Sequence, residues 1–331
     1  MKKINLVGQC FGRQNEYQRA LFTIFSFLSQ QKSFEHFRIV LYTDNPDYFK
    51  KKLPEDVEIS YELLTKDRIK EMRGVNDFLH RMKIALIEHT FKNYNGKILY
   101  VDSDTFFVGN PQPLIEQISE GISSMHKHEY EFETLFHLKR PAGNTFIEFA
   151  ELLRDNTFLS HNKQKTKIPL SASSWNAGVM IFDPSHAKFI NDVYALTEQF
   201  YPPTKNHASE QYAFSILLQN NTQILPSEEY IYHYWYKIEK IIMDSYLDNL
   251  FSDVFFNLQT VKQLEKIKLI TQKMPKYLNA HSLMIKDNAI QAFNSDKYKE
   301  GFSFAVRYLA NKPNDITFIK DVLYHTKKKI F

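Results

Sequence analysis

Cysteine is almost missing from this chain: Cys10 is the only one in 331 residues, so an intramolecular disulfide is excluded. Cys10 reads as a small residue at a strand end rather than a nucleophile. Glycine is also scarce, with nine in all. Neither Gly-X-Gly-X-X-Gly nor a phosphate loop ending in Gly-Lys-Ser/Thr occurs, so any bound phosphates must be neutralised mainly by metal and side chains. A Gly-X-Ser-X-Gly elbow and zinc-spaced His/Cys clusters are absent as well. No apolar run is long enough to cross a bilayer. Met1–Val7 carries two lysines but runs into Gly8, Gln9 and Cys10, with no signal-peptide hydrophobic stretch behind it. These absences predict a cytoplasmic chain.

Strong charge is lacking too. A formal net charge of +4, with lysines not gathered into an arm, excludes a dedicated nucleic-acid binder. The excess is uneven: Tyr236–Phe331 holds 16 Lys/Arg against 10 Asp/Glu, so the first 235 residues carry a net charge of −2. A basic C-terminal third is either a set of solvated helix faces or a surface that attracts an anionic acceptor or the inner face of a membrane.

With 43% apolar residues, the chain can bury one large core and a smaller one. Up to about Lys237, short runs rich in β-branched and aromatic residues alternate with helix-period stretches, the pattern of an α/β domain. Strands are expected at Ile4–Val7, Arg38–Thr43, Val57–Leu63, Lys97–Asp102, Ile122–Met125 and Val179–Asp183. Tyr17–Gln30 spaces Tyr17, Leu21, Ile24, Phe25 and Leu28 as one amphipathic helical face. A second helix is expected over Phe78–Lys92, capped by Asn76, with Arg81 off its apolar stripe and able to reach a ligand, and Lys83 solvated. The polar run Asn156–Pro169 reads as a mobile loop or lid. Beyond Ile238 strand signals stop, and helices such as Ile238–Leu250 and Phe302–Ala310 are punctuated at Pro275 and Pro313. The expected division is therefore 1–237 and 238–331.

The segment that carries chemistry is Lys97-Ile98-Leu99-Tyr100-Val101-Asp102-Ser103-Asp104-Thr105-Phe106. On extended backbone the two aspartates of Asp-X-Asp point to one side, and paired carboxylates suit a hard divalent cation. Such a cation can bridge two phosphate oxygens and offset the charge on a departing nucleoside diphosphate. Open α/β sheets bind ligands at the carboxyl ends of their strands, where this triplet lies. Dehalogenase-type phosphatases also end a strand in Asp-X-Asp, but want Thr or Val where Phe106 stands. A calcium loop needs a further oxygen ligand and a turn glycine, and Phe106, Phe107 and Val108 follow instead.

In four ordered segments the chain resembles the family 8 glycosyltransferases, which include glycogenin and the bacterial lipopolysaccharide galactosyltransferases. Asn15-Glu16-Tyr17 is similar to the family's Asp-X-Tyr region, Arg81-Met82-Lys83 to its Arg-Leu-Lys, and Ile98–Phe107 to its Leu-Tyr-Leu-Asp-X-Asp. Trp175-Asn176-Ala177-Gly178-Val179 is similar to its Phe-Asn-Ala-Gly-Val. Ser209-Glu210-Gln211 resembles its Asp-Gln pair, and Tyr232–Lys237 its His-bearing segment. The usual Asp three residues before the Asn is Ser173 here, and the Gly and Lys-Pro-Trp after the His are missing.

That resemblance implies a GT-A fold with a mixed central sheet and a C-terminal helical extension. It implies a glycosyltransferase that moves a hexose from a nucleotide sugar, UDP-linked, to a glycan or glycolipid acceptor in cell-envelope polysaccharide biosynthesis, with retained anomeric configuration. Mn2+ or Mg2+ would be held by Asp102, Asp104 and His233, with Ser103 between the aspartates. Tyr17 would stack near the uracil, unless it is only the first core residue of its helix. Asn176, Ala177 and Gly178 would face the donor sugar, Glu210 would hydrogen-bond it and Gln211 would lie near the anomeric carbon. Arg81 and Lys237 would serve the donor, Lys237 at the diphosphate. Two alternatives stay open: a GT-A-like carbohydrate-binding or assembly subunit without turnover, and a sugar nucleotidyltransferase, which the wide spacing of Gly8 and Gly12 disfavours.

Overall fold

The computed structural model describes residues 4–138 and 144–330, with backbone only at 328–330; Met1, Lys2 and Lys3 of the Met1–Val7 segment lie outside them. The chain forms two compact units, Met1–His233 and Tyr234–Phe331.

In the first unit the strands, in chain order, are β1 (Ile4–Cys10), β2 (Phe37–Thr43), β3 (Ile59–Leu63), β4 (Lys97–Val101), β5 (Thr105–Phe107), β6 (Ile122–Met125), β7 (His128–Glu131), β8 (Phe158–Leu159), β9 (Lys165–Thr166), β10 (Ser173–Trp175), β11 (Val179–Phe182), β12 (Gln223–Pro226) and β13 (Ile231–His233). Seven of them build the central sheet, in the order β12-β6-β11-β4-β1-β2-β3. β4, β1, β2 and β3 run parallel to one another. β11 is antiparallel to both β4 and β6, and β12 is parallel to β6. The expected mixed sheet is therefore present, and all six expected strands lie in it. Its central strands are buried apolar runs: Ile98, Leu99, Tyr100, Val179, Met180 and Ile181 are all at zero exposure, as strands covered on both faces require.

Two small pairings complete the site. β13 is antiparallel to β5, with His233 opposite Thr105, and β10 is antiparallel to β7, with Ser174 opposite Tyr130 and Trp175 opposite His128. Cys10 ends β1, buried, and burial pushes its thiol well above the usual range. It is the small strand-end residue expected.

Outside the central sheet the structure departs from the sequence reading in four segments. The helix Gln14–Leu28 is buried at every position from Gln18 to Leu28 rather than along one stripe. The second begins at Arg81, with His80 rather than Asn76 at its N-cap, because Asp77 adopts a left-handed backbone (φ 50°) that interrupts the helix. Phe78 lies before the helix and still packs inward, stacked on Tyr201 with ring centroids 3.9 Å apart. The Asn156–Pro169 stretch contains the short β8–β9 hairpin, with Phe158 buried and the Lys167 ammonium bonded to the carbonyls of Leu153, Arg154 and Asn156. Pro275 sits inside the helix Thr260–Ala280 instead of ending it.

The second unit is helical. Its main elements are Lys237–Leu250, Thr260–Ala280, Ser282–Asn294, Tyr298–Asn311 and Ile316–Ile330. A small core joins the last three through Ile285, Ala289, Phe293, Ala305, Tyr308 and Phe318.

Candidate active site

β4 stops at Val101, and Asp102-Ser103-Asp104 forms the turn into β5 rather than the last residues of a strand. The two carboxylates converge through that turn, which the Thr105 hydroxyl closes by donating to the Asp102 carbonyl at 2.8 Å. Strand alternation is therefore not what brings them together. The Asp102 N–H donates to the Gly178 carbonyl at 2.8 Å, which ties the turn to the start of β11. Thr23, from the buried helix Gln14–Leu28, donates to the carbonyls of Ser103 and Thr105 at 3.0 and 2.7 Å. Ser103 in turn donates to Glu16 at 3.0 Å.

His233 reaches the turn because β13 pairs with β5. Its Nε2 lies 3.2 Å from Asp104 Oδ1, and one ligand atom each of Asp102, Asp104 and His233 falls within 4.8 Å of the others. Asp104 and His233 are each 7% exposed. Two carboxylates and an imidazole make a donor set for a divalent cation of the manganese or magnesium kind. The backbone leaves the imidazole its place: a Cβ on Gly178 would lie 2.0 Å from His233 Cε1. Only glycine fits there, so the glycine of the Asn-Ala-Gly segment makes room for the histidine.

Lys83 is buried, not solvated as its position in the sequence suggested. Its ammonium lies 3.2 Å from Asp102 Oδ2, 3.3 Å from Glu210 Oε1 and 3.1 Å from the Ala177 carbonyl. Burial alone would lower its pKa, but the Asp102 and Glu210 carboxylates outweigh it and hold the ammonium above the usual lysine value. The Tyr100 hydroxyl bonds the other Asp102 oxygen, and burial, with that carboxylate beside it, pushes the phenol far up. Arg81 goes elsewhere: its guanidinium meets Glu198 at 3.2 Å, the Met72 carbonyl at 2.9 Å and the face of Tyr194 at 4.5 Å. Two helical residues apart means about 200° around the axis, so Arg81 and Lys83 cannot serve the same place.

Asn176 and Gln211 converge on a residue that no sequence signal singled out. Glu129, on β7, accepts from Asn176 Nδ2 at 3.0 Å, Ser174 Oγ at 2.9 Å and Gln211 Nε2 at 2.8 Å. Gln211 Oε1 accepts the Ala177 N–H at 3.1 Å. Ser173, where an aspartate was expected, instead exchanges backbone bonds with the Gln219 amide. Glu210 is 2% exposed, and its Oε2 has no hydrogen-bond partner among the described residues. Beneath the cluster, His126 stands edge-on to His233 at 5.4 Å and bonds the Ile231 carbonyl at 3.0 Å. Burial, aided by His233, drops its pKa to about 3.

At the other end of the same strand edge, Tyr17 donates to Asp44 Oδ1 at 2.7 Å, and the Gly12 N–H bonds both side chains at 3.2 and 3.1 Å. The ring rests against Tyr48 and Phe49. Burial and the Asp44 carboxylate push its phenol up to about 12. Lys237 is the first residue of its helix in the second unit.

The family model for glycosyl transferase family 8 matches residues 23–251, and the chain belongs to that family. It is a glycosyltransferase with the GT-A-type mixed sheet and a helical C-terminal part. Comparison with curated proteins finds no match. Among solved structures it is similar to the galactosyltransferase LgtC in complex with donor and acceptor sugar analogs, at 12% identity and TM-score 0.43, over 66% of this chain and 72% of that one. It is similar to mouse xyloside xylosyltransferase 1 in its apo form, at 10% identity and TM-score 0.43, over 68% of this chain and 85% of that one. The glycosyltransferase GlyE of Streptococcus pneumoniae TIGR4 aligns at 14% identity and TM-score 0.39, over 68% of this chain and 46% of that one.

Proposed function

We propose that this glycosyltransferase moves a hexose from a UDP-linked sugar to a glycan or glycolipid acceptor of the cell envelope, with Mn2+ or Mg2+ held by Asp102, Asp104 and His233. The observation that carries this is the gathering of those three side chains at the carboxyl end of β4. The cation would offset charge on the departing diphosphate. Asp102 is oriented by Lys83 and Tyr100, so its carboxylate is set before ligand arrives. Gln211, Glu210 and Gly178 form the sugar side, and Tyr17 with Asp44 the nucleoside side; Lys237 is assigned to the diphosphate. Retention of configuration goes with the family. The domain roles proposed are catalysis by 1–237 and acceptor contact by 238–331.

No helix among the described residues is long and apolar enough to cross a membrane. The helix Thr260–Ala280 exposes Lys262, Lys266, Lys273 and Lys276, with Glu265, beside Leu269 and Tyr277, a basic face suited to an anionic lipid surface where a glycolipid acceptor is presented. This supports a cytoplasmic protein lying peripherally at the inner face of the membrane. Sedimentation with phosphatidylglycerol vesicles, lost with phosphatidylcholine or high salt, tests that part.

Thermal unfolding with a panel of nucleotide sugars tests the main proposal, because a ligand of the folded state raises Tm. UDP-sugars are expected to stabilise only with Mn2+ or Mg2+ present. Equal stabilisation in excess chelator would overturn the role of the cation, and no response to any nucleotide sugar would overturn the donor assignment.

A further inference from the structure

Asn176 was expected to offer its amide to a sugar, yet the structure commits that amide to protein partners. Its backbone is pinned first: the Asn176 N–H donates to the Lys127 carbonyl at 2.9 Å and its carbonyl accepts from the His126 N–H at 3.0 Å. With the backbone held, the side chain lies between a carboxylate and an imidazole. Nδ2 is 3.0 Å from Glu129 Oε1, and Oδ1 is 3.0 Å from the Gly178 N–H and 2.9 Å from His233 Nδ1.

The chemistry of these groups orders the chain of donors. A carboxylate can only accept, so the NH2 end of Asn176 must face Glu129. The amide oxygen is then turned toward His233, and it too can only accept. His233 must therefore carry a proton on Nδ1, so Nε2, which faces the Asp104 carboxylate, is the nitrogen whose lone pair a cation would take in place of a proton. A ligating imidazole commonly donates its other N–H to a fixed acceptor; here that acceptor is itself fixed by a second residue.

We infer that Glu129 is a positioning residue for the cation site: through Asn176 it selects the His233 tautomer that leaves Nε2 available to the metal. The inference rests on the proposed metal site, and the geometry explains why three separate segments meet. Glu129 comes from β7, Asn176 follows β10, and His233 ends β13. The other oxygen of Glu129, held by Ser174 and Gln211, fixes the carboxylate plane so that Oε1 stays aimed at Asn176. In Glu129→Gln that direction is lost, because the new amide can present its own NH2 to Asn176. An Asn176 turned over would place an N–H against His233 Nδ1, force the proton to Nε2 and block the cation.

The test has two readings on the full chain. In metal-free wild-type protein at pH 8, nitrogen-15 shifts of the His233 ring, assigned with His233→Gln, are expected to show Nδ1 protonated. The reverse tautomer overturns the inference, whether or not the protein binds metal. Mn2+ titration followed by electron paramagnetic resonance is the second reading. Glu129→Gln is expected to weaken Mn2+ binding roughly 10- to 100-fold with the metal-free Tm little changed and with a second tautomer visible. Ser174→Ala, which removes a different donor from the same carboxylate, should leave Mn2+ affinity within about threefold. Unchanged Mn2+ affinity in folded Glu129→Gln would overturn the inference. If that variant fails to fold, the wild-type tautomer decides alone. Absence of Mn2+ binding in wild type would sink the metal site itself, a failure distinct from a wrong tautomer.

Discussion

Replacing Lys83 by methionine tests whether the buried ammonium is what allows two carboxylates to sit beside each other. Lys83 Nζ lies 3.2 Å from Asp102 and 3.3 Å from Glu210, and its side chain is 5% exposed against 25% and 3% for theirs. Methionine keeps the length and apolar stem while removing the charge. Glu210 then keeps a buried carboxylate with neither oxygen paired among the described residues, since Oε2 already has no partner. Breaking one side of a buried pair costs about 3–5 kcal/mol. The lower end applies here, about 3 kcal/mol, because Asp102 keeps some access to water. For a unit of this size that is a drop in Tm of roughly 6–12 °C. Thermal unfolding in chelator, for Lys83→Met, Glu210→Gln and the double variant, measures it. Neutralising Glu210 should recover most of the loss, with a coupling of at least about 1.5 kcal/mol in the cycle. A Lys83→Met Tm within about 2 °C of wild type, or strictly additive effects, would refute the argument that this lysine offsets buried charge.

Asp104→Asn should weaken Mn2+ binding and cut sugar transfer by roughly 10²-fold or more, about 2.7 kcal/mol, with the metal-free Tm little altered; turnover at saturating Mn2+ checks it. Gly178→Ala should displace His233, because the added Cβ would meet Cε1 at 2.0 Å and Nδ1 at 2.3 Å, and Mn2+ titration should show affinity falling by about tenfold or more. His186 supplies a pH test: its Nδ1 accepts the Asp183 N–H at 3.2 Å and its Nε2 bonds the Glu120 carbonyl at 3.0 Å, an arrangement that requires the neutral ring. Burial holds its folded pKa below 6.5, so below pH 6.5 the unfolded chain binds a proton that the folded one refuses. Stability from this group is therefore present above 6.5 and declines as pH falls, by at most about 1.4 kcal/mol per unit. Urea unfolding should show a shallower decline between pH 6.5 and 5 in His186→Gln, whose amide can both accept and donate.

Where local pattern and buried environment agree, the sequence was readable. Lys97–Val101 and Val179–Phe182 are apolar runs because both faces are covered, and both occupy the centre of the sheet. β12 was missed because an edge strand of four residues, half exposed and ending in Pro226, carries neither alternation nor an apolar run. Asp102, Asp104 and His233 could be named because motif resemblance bridges the 129 positions between Asp104 and His233. Glu129 could not be placed that way, being an ordinary charged residue in a polar stretch, and Lys83, though inside the matched Arg81-Met82-Lys83 segment, read as solvated; the partners of both come from far along the chain, through the β7–β10 pairing and the start of the helix Ser209–Asn221. Arg81 was favoured over Lys83 because it stands off the apolar stripe, but a charge that stands off a stripe points to the surface. The cation that meets the Asp102 carboxylate is the one that interrupts the buried face.

Charge explains why the parts are arranged in this order. Around the turn after β4 stand Asp102, Asp104, Glu129 and Glu210, with the Lys83 ammonium against Asp102 and Glu210. Glu129 is satisfied by three neutral donors, so its charge is spread into hydrogen bonds. Glu210 and one oxygen of Asp102 share Lys83. Asp104 differs: its Oδ1 faces the His233 Nε2 at 3.2 Å, while the Nδ1 proton of that ring is directed the other way, toward Asn176. A nucleoside diphosphate brought alone to this turn would add negative charge beside carboxylates in a partly buried place, where Coulomb repulsion is weakly screened. A divalent cation held at Asp104 and His233 would reverse that sign, while Lys83 remains engaged with Asp102 and Glu210. The proposed metal dependence thus follows from how the acids are partnered, with the histidine nitrogen that would meet the cation set by residues that lie behind it.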